Sequence, residues 1–593
     1  MDSSYHILWN RINRPRKRQL FKLVFLIVFS SFSEVVSLGA VVPFLIILTN
    51  PEKVYYQPFL QEQFLKFGYI EPSELILPIT VFFILTSLLA GLIRIYLLKT
   101  STSLSYQIGA DISREIYKNA LYLDYIDHIQ RNSSILISGI ISKANQVVTY
   151  TIQPILNLLS STTILIVIFI LMLSVDPILI MSTFAALICL YLVFAVRAKK
   201  KLFENSKVLS SELTNLQRIL SEGFGGIRDV ILDNTQEIYL KKYIQSDQPY
   251  RMALSENAFK TSAPKYYVES FGLVAFALFA YYISVKTGSL VDSLPILGAL
   301  ALAAQRMLPI IQIAFNSWAN LRAGRSILAD VISLLELPVG ENISSIGSRQ
   351  KIDFQKGIQI RNLGFRYPGS GKEILSQLNF EIKKGQRVGI VGKTGSGKST
   401  LLDLLMGLLY PSEGSISIDE QVLTKDSMRD WQKSISHVPQ SIFLSDATIA
   451  NNIALGVPKE EIDIARVWNC LENAELADFV KSLPEQLETS VGERGVKLSG
   501  GQRQRIGIAR ALYKDAKIIV FDEATSALDE GTEEQLMKSI YNLRSDITII
   551  IVAHRLSTIK RCDTIIKLNE GMIEKMGTYE SVIGGEKLTA QKK

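Results

Sequence analysis

The sequence predicts a polytopic α-helical membrane domain of six transmembrane helices that is fused to a P-loop α/β domain. Three observations predict this fold class: long apolar stretches in the first half of the chain, a glycine-rich loop with a phosphate-binding pattern in the second half, and the composition. Of the 593 residues, 48% are apolar and only 20% are charged, and the mean hydropathy is +0.22. This composition excludes a disordered or collagen-like chain and argues against a wholly soluble one.

The apolar stretches supply six candidate membrane spans. Between Ile155 and Val196 the only formally charged side chain is Asp176. Because a helix needs about 20 residues to cross a bilayer, this stretch is long enough for a hairpin of two helices. The other four candidates are Leu23 to Leu48, Leu75 to Leu98, Val268 to Val285 and Leu294 to Trp318. Buried helices of a soluble protein could explain one such stretch, but they do not explain six.

The distribution of Lys and Arg predicts the orientation of the spans. Residues 1–22 hold six of these residues, whereas the loop 49–74 holds two beside four acids, and the fourth span ends in a basic cluster at 197–201. Because Lys and Arg accumulate on the cytoplasmic side, we expect both termini and the α/β domain in the cytoplasm. These clusters also explain the net charge of +8, so no nucleic-acid partner is expected.

Changes in composition divide the chain into three parts. We predict a membrane domain over residues 1–335, a linker with Pro, Gly and several Ser over 336–352, and the α/β domain over 353–593. Two long polar connections of the membrane domain, about 99–153 and 197–264, carry helical patterns and are predicted to project into the cytoplasm. The three cysteines are too scattered for a disulfide framework or a thiolate zinc site.

A phosphate-binding loop follows a predicted strand of the α/β domain. The run from Gly392 to Ser399 matches the pattern G-x-x-x-x-G-K-[ST]. Glycines let successive backbone N–H groups converge on a phosphate, and the N-terminus of the next helix adds partial positive charge. We expect Lys398 to reach the β- and γ-phosphates and Ser399 to hold Mg²⁺, beside the further nucleotide-binding residues Gly392, Thr394, Gly395, Ser396, Gly397 and Thr400. A chance glycine-rich turn is the alternative, and the flanking strand and helix argue against it.

Two acids follow a second predicted strand, Ile518 to Phe521. Beside the phosphate-binding loop, Asp522 could orient Mg²⁺ through water and Glu523 could polarise the attacking water. A solvated strand end is the alternative, but four apolar residues before the acids favour a buried strand.

The run Leu498-Ser499-Gly500-Gly501-Gln502 resembles the signature of ATP-binding cassette (ABC) proteins. Further motifs of that family stand in matching order, namely Tyr367 in the position of the aromatic residue that stacks on adenine, Gln440 after Val438-Pro439, the run Ser526-Ala527-Leu528-Asp529, and His554 in Ala553-His554-Arg555. Six spans followed by one cassette are similar to the exporter type of ABC transporter over essentially the whole chain. In that family, short coupling helices end the cytoplasmic loops, here near 123–128 and 221–228.

The resemblance implies that two cassettes sandwich two ATP molecules. One cassette would bind nucleotide across the interface through Ser499, Gly500, Gly501, Gln502 and Asp529. Hydrolysis would depend on Glu523, His554, Gln440 and Lys398, while Ser399, Gln440 and Asp522 would hold Mg²⁺. One cassette in each chain implies a dimer, and the complete set of motifs favours a homodimer over pairing with a similar chain.

Charges inside the predicted spans are the best indication of cargo. A charged group at membrane depth costs about 2.5–3.5 kcal/mol on insertion scales, so it usually faces a cavity or a partner. The candidate substrate-binding residues are Glu34, Arg94, Lys265, Glu269 and Arg306. Structural pairing of acids with bases is the alternative. Bases left over would line the cavity with positive charge suited to phosphate or pyrophosphate.

Short runs around Glu34, Lys265 and Arg306 resemble bacterial flippases for lipid-linked oligosaccharides. That resemblance implies a polyprenyl-pyrophosphate-linked oligosaccharide or another glycolipid as cargo, membrane lipid as surroundings, and the bacterial inner membrane as location. An exporter of drugs, peptides or other lipids is the alternative with the same fold. An ATP-gated channel or regulator is a third reading, and the intact signature and Glu523 argue against it.

Overall fold

The computed structural model describes residues 3–66, 68–173, 177–287, 294–338, 354–525, 529–541, 545–553 and 555–584. The chain folds as two compact units. The first comprises Met1–Leu123 and Asp127–Val339, and the second comprises Gly340–Lys593 together with the three residues Asp124–Ile126. Most of the predicted linker lies outside the described residues.

The described part of the first unit is helical. Its longer helices are α2 (Arg14–Gly39), α6 (Ile76–Leu121), α10 (Gln153–Leu173), α11 (Pro177–Gly225), α13 (Gln236–Thr287) and α14 (Leu294–Ala323). The shorter ones are α1 (Ser3–Arg11), α3 (Val41–Thr49), α4 (Pro51–Tyr55), α5 (Pro58–Lys66), α7 (Tyr125–Gln130), α8 (Ser133–Ser138), α9 (Ala144–Val147), α12 (Ile227–Leu232) and α15 (Arg325–Leu335). A 3-10 turn at Pro72–Leu75 precedes α6, and π-helical turns at Gly139–Lys143 and Val148–Ile152 flank α9.

Each of the six predicted spans is helical over most of the residues that the structure describes. Three stretches of the described chain are long and apolar enough to cross a membrane, namely Arg14–Ser37, Pro72–Leu121 and Ser133–Ile170. The other three predicted spans fall in α11, α13 and α14, each of which includes residues whose side chains are not described. The expected helical membrane domain is therefore confirmed.

The first predicted span differs from the expectation because it is broken into α2 and α3 near Ala40. Pro43 has no N–H to donate to the carbonyl oxygen of Gly39, so one helical hydrogen bond is lost at this point. Helix α3 then continues the apolar stretch to Thr49.

The polar connections are continuous with the spans. Helix α6 runs on to Leu121, and its residues Ile108, Ile112 and Ile116 are buried in a cluster with Val147 and Val331. A short helix, α7, begins at Tyr125 in the first segment where a coupling helix is expected. In the second segment the structure instead continues α11 to Gly225, and the short helix α12 begins only at Ile227.

The second unit contains two sheets. The larger has the strand order β10-β9-β3-β8-β7-β6, and all neighbouring pairs are parallel except β9 with the edge strand β10. These strands are β3 (Arg387–Gly392), β6 (Ile435–Val438), β7 (Ile518–Asp522), β8 (Thr548–Val552), β9 (Thr564–Asn569) and β10 (Met572–Gly577). The parallel sheet predicted from the sequence is confirmed, and β8 at its centre is buried along its whole length.

The smaller sheet is antiparallel and was not predicted. It has the order β2-β1-β4-β5, with strands β1 (Gly357–Phe365), β2 (Leu375–Lys383), β4 (Glu413–Ile418) and β5 (Gln421–Val422). Strand β2 alternates buried and exposed side chains, because one face of this sheet packs on the core. The helices of the unit are α16 (Lys398–Leu405), α17 (Met428–Lys433), α18 (Ile449–Ile453), α19 (Ile464–Asn473), α20 (Ala477–Ser482), α21 (Gly500–Tyr513), α22 (Glu530–Tyr541) and α23 (Leu556–Ile559).

Candidate functional site

Four segments of the second unit that are predicted from the sequence to be functional follow neighbouring parallel strands. The phosphate-binding loop follows β3, His554 comes two residues after β8, the acid pair ends β7, and Gln440 comes two residues after β6. These strands are adjacent in the order β3-β8-β7-β6. Because the carboxyl ends of parallel strands meet at one edge of a sheet, segments that are far apart in the sequence converge there.

The phosphate-binding loop has the backbone geometry that its glycines permit. Gly397 is the residue before α16 and adopts φ +96°, in the left-handed region that a side chain disfavours. A Cβ atom at this position would lie 2.5 Å from the Leu375 side chain and 3.2 Å from the carbonyl oxygen of Ile374. Only glycine therefore fits without a local rearrangement.

Lys398 lies within the loop rather than in solvent. The residue is 7% exposed, and Nζ donates hydrogen bonds to the carbonyl oxygens of Gly392 (2.8 Å) and Lys393 (3.1 Å). The ammonium group is thus held where the backbone N–H groups of the loop converge.

The loop fits a nucleotide with Mg²⁺. The hydroxyl of Ser396 is buried and has no hydrogen-bond partner within the protein, whereas Ser399 is exposed in the first turn of α16. A phosphate would give the buried hydroxyl a partner, and the exposed one is a suitable oxygen ligand for Mg²⁺. Thr400 is buried beneath them.

The structure brings Gln440 and Glu523 into direct contact. Nε2 of Gln440 donates a hydrogen bond of 2.7 Å to Oε2 of Glu523. Glu523 has φ +51°, an uncommon value for a residue with a side chain, and such values concentrate at functional sites. Its backbone N–H donates to the carbonyl oxygen of Val552, 2.9 Å away, which ties the acid to the end of β8.

Asp403 is a titratable residue of this region that the sequence did not single out. It lies on α16, and its pKa is raised to about 6, first by burial and then by the negative charge of Asp522. The second cause indicates that the two carboxylates interact electrostatically.

The signature segment begins a helix. The side-chain oxygen of Ser499 accepts a hydrogen bond from the backbone N–H of Gln502, and the Gln502 side chain accepts one from the N–H of Ser499. This capping box starts α21. Ser499 is exposed, and Gly500 and Gly501 form the first turn.

Asp529 and Tyr367 have local partners as well. The Asp529 carboxylate accepts hydrogen bonds from the backbone and hydroxyl of Thr532, and the side-chain bond is the main reason that its pKa is lowered. The ring of Tyr367 packs edge-on against Phe365, with 4.9 Å between ring centroids.

Three predicted site positions, His554, the side chain of Arg306 and the run 526–528, lie outside the described residues.

The candidate substrate-binding charges are largely paired. Arg94 Nη1 on α6 lies 4.0 Å from Oε1 of the buried Glu34 on α2. Lys265 Nζ lies 3.8 Å from Oε1 of Glu269, one helical turn further along α13. Both distances support the structural alternative for these four residues, although about half of the Arg94 side chain stays exposed.

Sequence reasoning missed a buried carboxylate, Glu533, on α22. Its side chain is almost fully buried, and it accepts hydrogen bonds from Thr525, Thr558 and Arg555. The available signal was its spacing, because Glu533 shares a helical face with the apolar residues Leu536, Met537 and Ile540.

Comparison with known families identifies both units. A family model described as "ABC transporter transmembrane region" matches residues 12–290, and one described as "ABC transporter" matches residues 375–526.

Curated relatives are similar over parts of the chain. A protein of Cupriavidus metallidurans is 44% identical over 230 residues, which is 39% of each chain. A protein of Shewanella denitrificans is 34% identical, over 60% of this chain and 59% of the relative. A protein of Pseudomonas fluorescens is 30% identical, over 67% of this chain and 65% of the relative. All three are named "ATP-dependent lipid A-core flippase". The chain thus spans about two fifths to two thirds of the length of these relatives.

The fold is shared with a solved structure over nearly the whole chain. The structure of a bacterial Atm1-family ABC exporter with ATP bound matches with a TM-score of 0.78 and covers 97% of this chain and 98% of its own. At 22% identity, this similarity supports the fold class alone.

Proposed function

The chain belongs to the ABC transporter family, whose two family models together match most of its length, and we propose that it is an exporter-type half-transporter that hydrolyses ATP to move an amphipathic anionic lipid across a membrane. The observation that carries the proposal is the hydrogen bond between Gln440 and Glu523. This hydrogen bond lies at the edge of the sheet where β3 leads into the phosphate-binding loop. A loop that binds phosphate and a carboxylate that can polarise water are the two parts that phosphoryl transfer to water requires.

Each residue of the site has a role in this chemistry. Lys398 and the loop N–H groups bind the β- and γ-phosphates, Ser399 and Asp522 would hold Mg²⁺, and Glu523 polarises the attacking water. When bound, Mg²⁺ would neutralise the charge that develops on the phosphate oxygens. Gln440 orients the Glu523 carboxylate, and it would hold Mg²⁺ together with Ser399 and Asp522. His554, which follows β8 by two residues in the sequence, is the fourth residue proposed for hydrolysis.

We propose that the working unit is a homodimer. The chain has one phosphate-binding loop and one signature segment, and Ser499 at the start of α21 is exposed. An exposed helix N-terminus with free backbone N–H groups suits a phosphate. Ser499, Gly500, Gly501, Gln502 and Asp529 would bind the nucleotide that is held by the loop of the second copy, and Tyr367 would stack on adenine.

The cargo proposed here is a lipid with an anionic, saccharide-bearing head group, such as a polyprenyl-pyrophosphate-linked oligosaccharide. Two observations support it: the relatives named as lipid A-core flippases, and a base within the sixth span, Arg306. We place the protein in the bacterial inner membrane, with the cassette and both termini in the cytoplasm, because the basic clusters of the sequence flank the spans on that side.

Reconstitution tests the proposal. In proteoliposomes with outward-facing cassettes, we expect ATP-dependent translocation of a fluorescent polyprenyl-pyrophosphate glycan, together with phosphate release. The same lipid with a neutral head group and a water-soluble dye are the comparison cargoes. Equal transport of all three would contradict the anionic-lipid assignment, and failure to release phosphate would contradict the ATPase assignment.

A further inference from the structure

Glu533, on α22, is a buried carboxylate whose hydrogen-bond donors come from two other segments of the second unit. Its Oε1 accepts hydrogen bonds from Oγ1 of Thr525 (2.9 Å) and Oγ1 of Thr558 (2.6 Å). Its Oε2 accepts a hydrogen bond from Nη1 of Arg555 at 2.7 Å. The whole residue is 5% exposed.

A carboxylate in such surroundings is costly unless it is paired and hydrogen-bonded. The guanidinium of Arg555 supplies the opposite charge, and the two threonine hydroxyls supply further donors. Both threonines are themselves buried. The cluster is therefore built around a charge, and an apolar residue of similar size would leave its donors without their acceptor.

The partners of Glu533 stand next to the residues that we assign to hydrolysis. Thr525 comes two residues after Glu523, and Arg555 comes directly after His554. Thr558 lies on the short helix α23 that follows. Glu533 thus contacts the segment that leaves β7 and the segment that leaves β8.

Ladder hydrogen bonds do not fix these segments by themselves. The β7–β8 ladder ends at the pair Asp522 and Val552, and the last backbone bond joins the N–H of Glu523 to the carbonyl oxygen of Val552. Beyond that point the chain turns, with Glu523 at φ +51°. Beyond the end of the ladder, the side chain of Glu533 connects the two segments, because it accepts hydrogen bonds from Thr525 after β7 and from Arg555 after β8.

We propose that Glu533 is a positioning residue for ATP hydrolysis, which ties the turn after Glu523 to the segment that begins at Arg555 and so fixes the geometry of the Glu523 carboxylate. The inference rests on the proposed ATPase function. Glu533 is assigned no contact with nucleotide, so its loss should slow the chemical step and leave nucleotide binding intact. A displacement of catalytic groups by about 1 Å lowers rates strongly.

The main test is Glu533→Gln in the full-length protein. The amide has the same shape but lacks the charge that pairs with Arg555. We expect kcat to fall on the order of tenfold or more, with KM for ATP and the binding of a fluorescent ATP analogue unchanged. The matched control is Glu534→Gln, because Glu534 lies on the same helix and forms an exposed pair with Lys538; its kcat should equal that of the wild type.

Two further variants separate positioning from folding. Thr525→Val removes one donor to Glu533 and keeps the shape of the side chain, so it should lower kcat in the same direction while the melting temperature stays near that of the wild type. The double variant Glu533→Gln/Arg555→Gln should have a kcat no lower than that of the slower single variant. Each single change already removes the ion pair between the two residues.

The outcomes distinguish this inference from the function on which it rests. Wild-type kcat in Glu533→Gln and Thr525→Val, in a protein that hydrolyses ATP, would overturn the positioning role alone. A loss of nucleotide binding in parallel with kcat would also overturn it, because that result indicates a purely structural role. A wild-type protein without ATPase activity would overturn the proposed function and this role with it.

Discussion

The side-chain amide of Gln440 donates a 2.7 Å hydrogen bond to the carboxylate of Glu523. The two residues are separated by 82 positions of intervening sequence, and their contact results from the parallel pairing of β6 with β7, in which Val438 lies opposite Phe521. The pairing therefore holds the Glu523 carboxylate against Gln440 at the carboxyl end of β7.

Glu523→Gln should abolish hydrolysis and preserve ATP binding. The amide keeps the size of the side chain but cannot accept a proton from water, so the closed dimer should accumulate with ATP trapped. Phosphate release and retention of labelled nucleotide measure the two effects. Near-normal release would remove Glu523 from the role assigned to it, and Glu534→Gln serves as the control for loss of a carboxylate elsewhere in the cassette.

Gln440→Ala should slow hydrolysis less than Glu523→Gln does. It removes one donor from an exposed hydrogen bond to a charged group, which is worth about 1.5 kcal/mol, or roughly tenfold in rate. The ratio of kcat values in the two variants is the measurement. Gln421→Ala, in the exposed strand β5, should have wild-type kcat, and an equal loss in both glutamine variants would contradict the role of Gln440.

Gly397→Ala should weaken ATP binding. The methyl group would meet the Ile374 carbonyl oxygen and the Leu375 side chain, and the left-handed backbone costs a non-glycine residue about 1–2 kcal/mol. The loop should therefore shift away from the phosphate position, which a titration with a fluorescent ATP analogue would detect as a raised Kd. Gly371→Ala is the control, because a Cβ atom there meets nothing within 4 Å; a wild-type Kd in Gly397→Ala would contradict the steric argument.

The phosphate-binding loop could be predicted from the sequence because its geometry is local. Gly392 to Ser399 are consecutive, and their backbone conformation depends on glycines at fixed spacing. The contact between Gln440 and Glu523 could not be predicted from spacing, since it requires the order of the strands in the sheet. That order depends on which buried strands pack together, and the family resemblance was the only guide to it.

The burial of Glu533 and the antiparallel sheet could not be predicted from the sequence. Most acidic residues on helices are exposed, so the sequence alone predicts an exposed side chain for Glu533. The three-dimensional structure is needed to show that Arg555 donates a hydrogen bond to it. The antiparallel pairing of β1 with β2 shifts register between Ile360 and Leu363 and again between Leu363 and Phe365. Such irregularities weaken the period-two pattern on which strand prediction depends.

Asp403→Asn should change the pH dependence of stability. The pKa of Asp403 is raised from 3.8 to about 6 by burial and by Asp522. Between about pH 4 and pH 6 the folded state binds more protons than the unfolded state, so the contribution of this residue to the free energy of unfolding falls as pH rises. Above about pH 6 the folded protein bears the full cost of a buried charge.

The unfolding midpoint in detergent, without nucleotide, measures this effect. Relative to the wild type, Asp403→Asn should gain stability between pH 5 and pH 7.5, whereas Asp426→Asn, at an exposed position, should follow the wild type. A difference between Asp403→Asn and the wild type that is the same at both pH values would contradict the assigned pKa.

Arg306→Ala should impair transport of an anionic lipid more than it impairs basal ATPase activity. Of the five charges first considered as cargo ligands, Glu34 pairs with Arg94 and Lys265 pairs with Glu269. Within each pair the acid neutralises the charge of the base. Arg306, on α14, is therefore the base that would determine the preference of the transporter for an anionic lipid. A guanidinium suits phosphate or pyrophosphate because it donates two parallel hydrogen bonds.

The measurement compares translocation of a polyprenyl-pyrophosphate glycan with that of the same lipid bearing a neutral head group, in proteoliposomes of wild type and variant. We expect Arg306→Ala to reduce the preference for the pyrophosphate lipid and Arg306→Lys to retain part of it, since Lys keeps the charge but lacks the planar pair of donors. Arg322→Ala is the control, because Arg322 lies in the last turn of the same helix. If Arg306→Ala transported the pyrophosphate lipid as well as the wild type does, the anionic preference would have to depend on Arg94, whose side chain is half exposed beside Glu34.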